Sequence, residues 1–525
     1  MTYSCSEYLL KCVPRFHEEN QRMEEYFVRE SKETMISLFM EVYIEGNLNL
    51  LIENEETGLK SFYTFDKFED LKNLFFLVSF SKPSFELFDS HTSQYITQNL
   101  NKIIEPSKDR TNFIKVIDEL SDFKDKIFKI MERSLKLFQQ NSNFFEKSIE
   151  KTIKDCFVNF VNNNMKISSF LNKYLDFFMQ KDHKKLSETE NESKIEKIFE
   201  IFKLLTNKDL FEIQYRNLLT KRLLIFKNFN EELELSFLKR ATMSCGTAYT
   251  SKFYSFFHDI KISSQNFKDF QAKFQSNPDL AKVTIEVVSQ GIWSLEENNE
   301  NFEFPDDVSN LINSFEIFYK GKHPERKMKW ITGLGVGVVK ANFKEKPKDL
   351  IMNNLQMFVL LCFNNIRRAC SCREIMMKLR INNASMVKQV LLSFIRLKIL
   401  VKNTNIASSE LREEDFISVN EHFTHKNFEI KVRFKGNDED GELNDQKHME
   451  VLSMERKTII EAYVIRILKV RKNICHGDLV KEVISLCSNR NFLPSGTQIK
   501  DSIESLINRD YIKRNEDPGR YSYIA

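Results

Sequence analysis

The stretch that most constrains the fold is ERKTIIEAYVIRILKVR, which runs from Glu455 to Arg471. An α-helix turns by about 100° per residue, so a helix drawn over this run gathers its apolar positions on one broad face. Those positions are Ile459, Ile460, Tyr463, Val464, Ile467 and Leu468. Lys469 falls nearly opposite the centre of that face. The run therefore predicts a helix that packs on a core and presents Lys469 to solvent.

Three further elements follow this helix. A second amphipathic helix is predicted over Asp478–Leu486, and a hairpin pairs Tyr511–Lys513 with Tyr521–Tyr523 around the turn signal Asp517-Pro518-Gly519. Between them lies a third helix, whose apolar positions at helical spacing are Ile499, Ile503, Leu506 and Ile507. Three helices and a closing β-hairpin predict a winged-helix domain.

Composition predicts long helices in the rest of the chain. Only 13 Gly and 9 Pro occur among 525 residues, so helix breakers are scarce, and apolar residues at 42% with charged residues at 29% are typical of globular domains. The 47 Phe residues are interpreted as core. A net charge of +3 gives no global field that favours nucleic acid or a membrane.

The nine cysteines predict reduced thiols inside a cell. The only close group is Cys370 and Cys372 beside Cys362, and it lacks the second ligand pair of a zinc site. The first residues do not resemble a signal peptide. The longest apolar runs, Leu74–Phe80 and Met357–Phe363, are shorter than the roughly 20 residues that cross a bilayer. We therefore expect a soluble protein with no metal site.

The order of patterns along the chain changes once, after about residue 276. Helical periodicity dominates before that point; in Phe211–Leu224, Lys221 and Arg222 lie off the centre of the apolar stripe. Later, alternating β-branched residues predict strands over Val283–Trp293, within Lys327–Phe343 and over Phe428–Phe434. A helix–helix–helix–strand block between these strands predicts a first winged helix. The run GNDEDGELNDQKH, 436–448, is acidic and predicts a flexible linker.

Several of these segments carry a resemblance to one family. IRILKVRK, IKDSIESLINRDYIKR and the terminal YSYIA resemble the carboxy-terminal domain of the cullins, the scaffolds of multisubunit RING-type ubiquitin ligases. FEIQYRNLLTKRLL and CGTAYTSKFYSFFHDIKIS, which begin at Phe211 and Cys245, are similar to cullin segments as well. Tyr8–Leu50 resembles the third helical repeat of a cullin stalk, and the chain has room for about one such repeat.

The resemblance implies a mainly α fold with a small α/β part. The implied order is a cullin-repeat stalk over 1–143, a four-helix bundle over 144–276 and an α/β domain over 277–435 with an inserted winged helix at 350–403. An acidic linker at 436–449 then leads to the terminal winged helix at 450–525. Because the first repeat of the family has no counterpart, the resemblance implies no particular substrate adaptor.

The resemblance also implies sites and partners. Lys469 corresponds to the lysine that forms an isopeptide bond to a ubiquitin-like modifier, and Lys181, Lys184 and Lys185 match a basic stretch that attracts a ubiquitin-conjugating enzyme. A RING-box zinc protein is expected to add a strand to the sheet. The residues predicted to line that contact are Trp293, Trp330, Ile331, Leu334 and Val336. The implied location is the cytoplasm and nucleus.

Two other functions stay open from the sequence. Winged helices often bind DNA, although the third helix carries Asp501, Glu504 and Asp510 beside its basic residues. The chain could instead be an unmodified cullin-like structural subunit, as in the anaphase-promoting complex. No Walker loop, GxGxxG, HExxH or GxSxG motif occurs, so we expect a non-catalytic scaffold without a cofactor.

Overall fold

The structure is a computed structural model. It describes residues 4–54, 56–104, 112–136, 143–180, 187–227, 229–274, 283–293, 306–331, 335–364, 369–381, 383–403, 411–432, 441–490, 492–515 and 519–524. The chain divides into two compact units. The first comprises residues 1–179, 183–211 and 463–525, and the second comprises residues 180–182 and 212–462. The predicted bundle at 144–276 is therefore divided between the two units.

The amino-terminal part of the first unit is an array of packed helices. They are α1 (Cys5–Tyr26), α2 (Arg29–Phe39), α3 (Gly46–Glu53), α4 (Leu59–Thr64), α5 (Phe68–Val78), α6 (Lys82–Ile104), α7 (Phe113–Lys136), α8 (Asn143–Asn163), α9 (Met165–Phe178) and α10 (Glu188–Leu204). Helix α6 packs against α8, and α7 packs against α9. Ser4 and Ser187 each begin a helix with a capping box, in which the serine hydroxyl accepts from a backbone amide three residues on.

Phenylalanine fills this helical core. The ring of Phe16 lies 5.2 Å from that of Phe39, 5.5 Å from Phe76 and 4.7 Å from Phe80, measured between centroids. Rings at these separations gain edge-to-face attraction in addition to the burial of apolar area. In this array the abundance of phenylalanine thus serves packing between helices.

Among the described residues, one helical stretch, Thr34–Glu53, is long and apolar enough to cross a membrane by length and composition alone. It consists of the end of α2, a π-helical turn at Met40–Glu45 and α3. Its buried side chains include Met40, Ile44 and Leu51, and the carboxylate of Glu45 accepts a 2.6 Å hydrogen bond from Ser81. Because this stretch contacts α4, α5 and α6, we interpret it as part of the packed helical array.

The second unit contains most of α11 (Lys208–Thr220), a π-helical turn at Lys221–Phe226, and then helices and two small sheets. The helices are α12 (Glu231–Cys245), α13 (Thr247–Lys273), α14 (Asp306–Lys322), α15 (Asn354–Leu361), α16 (Cys372–Leu379), α17 (Ala384–Arg396) and the first part of α18 (Gly441–Arg471). Helix α12 packs against α13, which also contacts α14.

A buried ion pair joins the π-helical turn to α12. Arg222 and Glu234 are 1% and 0% exposed. The arginine Nε donates to Glu234 Oε1 over 2.8 Å, and a terminal nitrogen of the guanidinium lies 2.6 Å from the same oxygen as an ion pair. Tyr215 donates its hydroxyl to the other carboxylate oxygen. Burial, reinforced by the carboxylate charge, raises the pKa of Tyr215 well above its ordinary value, so the phenol stays a donor.

Arg222, which the helix wheel places off the centre of the apolar stripe, is fully buried. A regular helix wheel turns about 100° per residue, whereas a π-helical turn bonds residues five apart and is wider. The turn that begins at Lys221 therefore rotates the following side chains away from the positions that the wheel assigns. Arg222 enters the core, where Glu234 compensates its charge.

We predict that Glu234→Gln destabilises the second unit by about 3–5 kcal/mol, because it removes the carboxylate charge from a buried ion pair with Arg222. Both tryptophans of the chain, Trp293 and Trp330, lie in this unit, so tryptophan fluorescence during urea unfolding measures the effect. The matched control is Glu231→Gln, whose partner Lys261 is 70% exposed, and it should cost at most about 1 kcal/mol. Equal losses in both variants would contradict the prediction.

The strands of the second unit form two three-stranded sheets. One has the order β1 (Val336–Asn342), β2 (Pro347–Asn353), β6 (Glu429–Lys431), with β1 antiparallel and β6 parallel to β2. The other has the order β3 (Cys370–Ser371), β5 (Phe416–Val419), β4 (Leu400–Lys402). With α15, α16 and α17, the second sheet forms the first winged helix. This domain extends to β5, beyond the predicted end at residue 403.

The strand predictions were partly wrong. Val283–Trp293 is in no strand among the described residues: 283–289 has no regular secondary structure, and 290–293 forms a turn. Within Lys327–Phe343 the strand begins only at Val336, and in Phe428–Phe434 the strand spans Glu429–Lys431. Residues 433 and 434 lie outside the described part. Alternating β-branched residues indicate a β-pattern, but they do not show whether a strand partner is present.

The terminal domain confirms the predicted winged helix. After α18 come β7 (Asn473–Cys475), α19 (His476–Ser488), α20 (Gly496–Asn508), β8 (Ile512–Arg514) and β9 (Arg520–Tyr523). Strand β9 is central, with Ile512 opposite Tyr523 in β8 and Ile474 opposite Tyr521 in β7. The third strand, β7, was not predicted. Because α18 begins at Gly441, residues 441–449 are helical, and the predicted linker at 436–449 is wrong for them.

Gly519 closes the hairpin between β8 and β9. Its φ is +94°, a conformation that residues with a Cβ rarely adopt. Its carbonyl accepts a 2.7 Å hydrogen bond from the His476 amide, and the neighbouring Asn515 amide donates to the Arg520 carbonyl over 3.0 Å. The glycine thus fixes both the hairpin and the start of α19.

We predict that Gly519→Ala destabilises the hairpin by about 1–2 kcal/mol, through backbone strain alone, because a Cβ there meets no atom within 4 Å. Hydrogen exchange of the β8–β9 peptides should accelerate about five- to thirtyfold. The control is Gly477→Ala, in α19, where a Cβ also meets open space and helix propensity favours alanine. Unchanged exchange in Gly519→Ala would refute the strain argument.

Candidate modification site and partner surfaces

Lys469 lies in the last turn of α18 with its side chain exposed. Val464 and Leu468, on the opposite side of the helix, are fully buried, as the helix wheel predicted. The ammonium nitrogen lies 5.2 Å from the centre of the Tyr523 ring. The helix thus combines a core-packed face with an accessible amine.

The surroundings of Lys469 define what the amine can do. The helix ends at Arg471, and the next residue, Lys472, has φ +60° and donates its amide to the Leu468 carbonyl over 2.8 Å. Arg471 forms a 2.8 Å ion pair with Glu482 of α19. In the described part of the chain, no carboxylate or imidazole contacts the Lys469 amine. The described residues therefore place no general base beside this amine.

Four of the predicted site residues cannot be compared with the structure. Lys181, Lys184, Lys185 and Leu334 lie outside the described residues. Their assignment to enzyme attraction and to the RING-box contact stays a prediction.

Trp293 lies within a core and does not face a sheet edge. It is 3% exposed, its ring lies 4.2 Å from that of Phe256, and its indole N–H donates to Asp259 over 2.9 Å. The single polar group of its side chain, the indole N–H, is therefore hydrogen-bonded inside the second unit. Its side chain has little surface left for a partner.

Trp330, Ile331 and Val336 differ in their exposure. Trp330 is half-buried, packs beside Phe315 and donates its indole N–H to Glu316 over 2.7 Å. Ile331 is half-buried as well, whereas Val336 is 43% exposed at the start of β1. Since β1 is an edge strand, Val336 is the one of these three that lies on an open sheet edge.

The segment at 283–289 is a second candidate edge. The amides of Val287 and Ser289 donate to Ser263 and Asp259 of α13, over 2.8 and 3.0 Å. The amide of Val288, which lies between them in the chain, has no hydrogen-bond partner among the described residues. The sequence showed the β-pattern of this segment but not its one-sided pairing.

No described group of three or more His, Cys, Asp and Glu side chains is placed to hold a metal ion. Cys370 and Cys372 are buried, and burial together with the neighbouring Glu374 raises the pKa of Cys370 to about 12. These thiols therefore stay protonated and contribute to the core of the first winged helix.

Three family descriptions match the chain in order. "Cullin alpha solenoid domain" matches residues 1–266, "Cullin alpha+beta domain" matches residues 287–423, and "Cullin protein neddylation domain" matches residues 455–518. Lys469 lies within the last of these ranges. Together the matches include the helical array, the sheets of the second unit except β6, and the terminal winged helix except β9.

Individual relatives agree with this assignment. Cullin-3A of Arabidopsis thaliana is 29% identical over 99% of this chain and 70% of its own length, and human Cullin-4A is 30% identical over 99% and 66%. Cullin-3 of Dictyostelium discoideum is 27% identical over 100% and 71%. A solved structure described as "A Dual E3 Mechanism for Rub1 Ligation to Cdc53: Dcn1(P)-Cdc53(WHB)" is 34% identical, covering 15% of this chain and 93% of that one, with a TM-score of 0.15.

The chain thus spans about two thirds to seven tenths of the length of these relatives. Its mainly α fold with small sheets agrees with the solenoid and alpha+beta descriptions. The solenoid match alone extends over half of the chain. The protein belongs to the cullin family.

Proposed function

We propose that this cullin-family chain is the non-catalytic scaffold of a RING-type ubiquitin ligase that is activated when a ubiquitin-like modifier is attached to Lys469. The observation that carries the proposal is the exposed Lys469 amine on a core-packed helix inside the matched neddylation domain. A ligase scaffold acts by holding its partners, and partner binding needs surfaces rather than an active site. We place its work in the cytoplasm and nucleus, where ubiquitin-dependent degradation takes place.

The attachment step assigns one role to the chain. The neutral Lys469 amine attacks the thioester carbonyl of the modifier on its conjugating enzyme, forming the C–N bond of an isopeptide while the enzyme thiolate leaves. The proton of the amine passes to a base of the conjugating machinery. The helix contributes orientation, because Val464 and Leu468 anchor the turn that carries the amine.

For the RING-box partner, we propose strand addition to an edge of the second unit. The best supported edge is 283–289, where Val288 presents a free amide while Val287 and Ser289 hold the segment to α13. Added strands gain backbone hydrogen bonds and need few specific side chains. Strand β1 is an edge strand of its sheet and carries the exposed Val338, so it is a second available edge.

The proposed conjugating-enzyme contact involves Lys181, Lys184 and Lys185. Three lysines within five residues would attract an acidic partner and raise the rate of encounter more than the affinity. Ubiquitin transfer needs repeated exchange of the conjugating enzyme, which fast encounter favours. The substrate adaptor is not assigned to any surface.

We predict that Lys469→Arg abolishes attachment of the modifier, because a guanidinium keeps the charge but is not a nucleophile at neutral pH. Intact-mass spectrometry of the purified chain after incubation with modifier and conjugating enzymes measures this. Lys481→Arg, at an exposed lysine of α19, is the matched control and should be modified normally. An undiminished mass gain in Lys469→Arg would show that another lysine is the acceptor.

We predict that Val288→Pro weakens binding of the RING-box protein about five- to tenfold, since proline removes the free amide. Affinity is measured by titration, and tryptophan fluorescence checks that the second unit stays folded. Val338→Pro tests β1 as the alternative edge. Wild-type affinity in both variants would exclude strand addition at these edges.

A further inference from the structure

Tyr523 is the aromatic residue beneath the Lys469 amine. The ammonium nitrogen lies 5.2 Å from the ring centre, within the range of about 6 Å over which a cation is attracted to the face of an aromatic ring. Since the side chain of Lys469 is exposed, it could extend into solvent in many rotamers. Attraction to the ring favours one of these rotamers.

The position of Tyr523 is fixed by the sheet. It lies in β9, the central strand, opposite Ile512 in β8, and the following amide of Ile524 donates to the Tyr511 carbonyl over 3.0 Å. Tyr521, two residues earlier on the same face of the strand, is buried. The ring therefore sits on a paired strand and does not move with a loop.

We propose that Tyr523 is a positioning residue for Lys469, whose ring holds the ammonium against the central strand of the terminal domain until a conjugating enzyme takes up the amine. The inference rests on the proposed modification of Lys469 and adds a second residue to that site. It assigns to β9 a role besides folding, because the ring that this strand carries determines the position of the acceptor amine.

The attraction has a chemical consequence. An amine attacks an acyl group only in its neutral form, and a neutral amine has no comparable attraction to the ring. Contact with the ring therefore has to be given up before attack. At an exposed site such a contact is expected to lower the fraction of molecules in which the Lys469 amine is away from the ring about two- to fivefold. Outside the enzyme complex, Lys469 is thus restrained from adventitious acylation.

The test measures the reactivity of Lys469 without any enzyme. The full-length chain is treated with a limiting amount of an N-hydroxysuccinimide acetyl ester, and mass spectrometry gives the acetylation of Lys469 relative to that of the exposed Lys481 in the same molecule. In Tyr523→Leu the ratio should rise about two- to fivefold. In Tyr523→Phe, which keeps a ring face, it should equal that of the native chain. Tyr523→Trp, the strongest cation binder, should lower it.

Two results would overturn the inference. One is an equal ratio in the native, leucine and tryptophan proteins; the other is a phenylalanine variant that behaves like leucine. Should Tyr523→Leu fail to fold, as judged by hydrogen exchange of α18, the phenylalanine and tryptophan variants decide the matter. Because no modifier or enzyme is used, the outcome is independent of whether Lys469→Arg abolishes attachment.

Discussion

The function proposed here depends on the packing of the last turns of α18. Val464 and Leu468 are fully buried, and a helix that inserts two such side chains into a core cannot rotate without exposing them. Lys469 follows directly, so its direction is set by the burial of its neighbours. Strand β9 supplies the ring of Tyr523 beside the amine. The packed turn therefore fixes the base of the Lys469 side chain, and strand pairing fixes its aromatic neighbour.

The second unit uses hydrogen bonds and charge in a comparable way. Asp259 accepts from both the Ser289 amide and the Trp293 indole, so one carboxylate of α13 ties the segment at 283–289 and a tryptophan to the helix. The segment is thereby held to α13 at the Val287 and Ser289 amides. A scaffold that binds a partner by strand addition benefits from an edge that is ordered before the partner arrives, because less conformational entropy is lost on binding.

Much of the fold could be predicted from local patterns. The helices of the terminal domain followed from apolar spacing, and the hairpin followed from a turn signal between two short alternating runs. The exposure of Lys469 required only the helix wheel. These features depend on residues close together in sequence, where periodicity is informative.

The errors arise where distant residues decide the outcome. Arg222 enters the core because a π-helical turn shifts the register and Glu234 lies across from it, and neither fact is visible in a wheel. Val283–Trp293 has the composition of a strand but no strand partner among the described residues. The acidic run at 436–448 was interpreted as a linker from its charge, yet residues 441–449 belong to helix α18. Trp293 was expected on a partner surface, but Asp259 and Phe256 hold it inside.

The central claim is that Lys469 is carried by a rigid, core-anchored turn. Amide hydrogen exchange of the peptide that covers residues 463–471, measured in the full-length chain, tests it most directly. The account predicts that the amides of this peptide rank among the most protected of the terminal domain and exchange far more slowly than those of the exposed hairpin. Exchange within seconds would show that the turn is frayed and that the position of the amine is not set by packing.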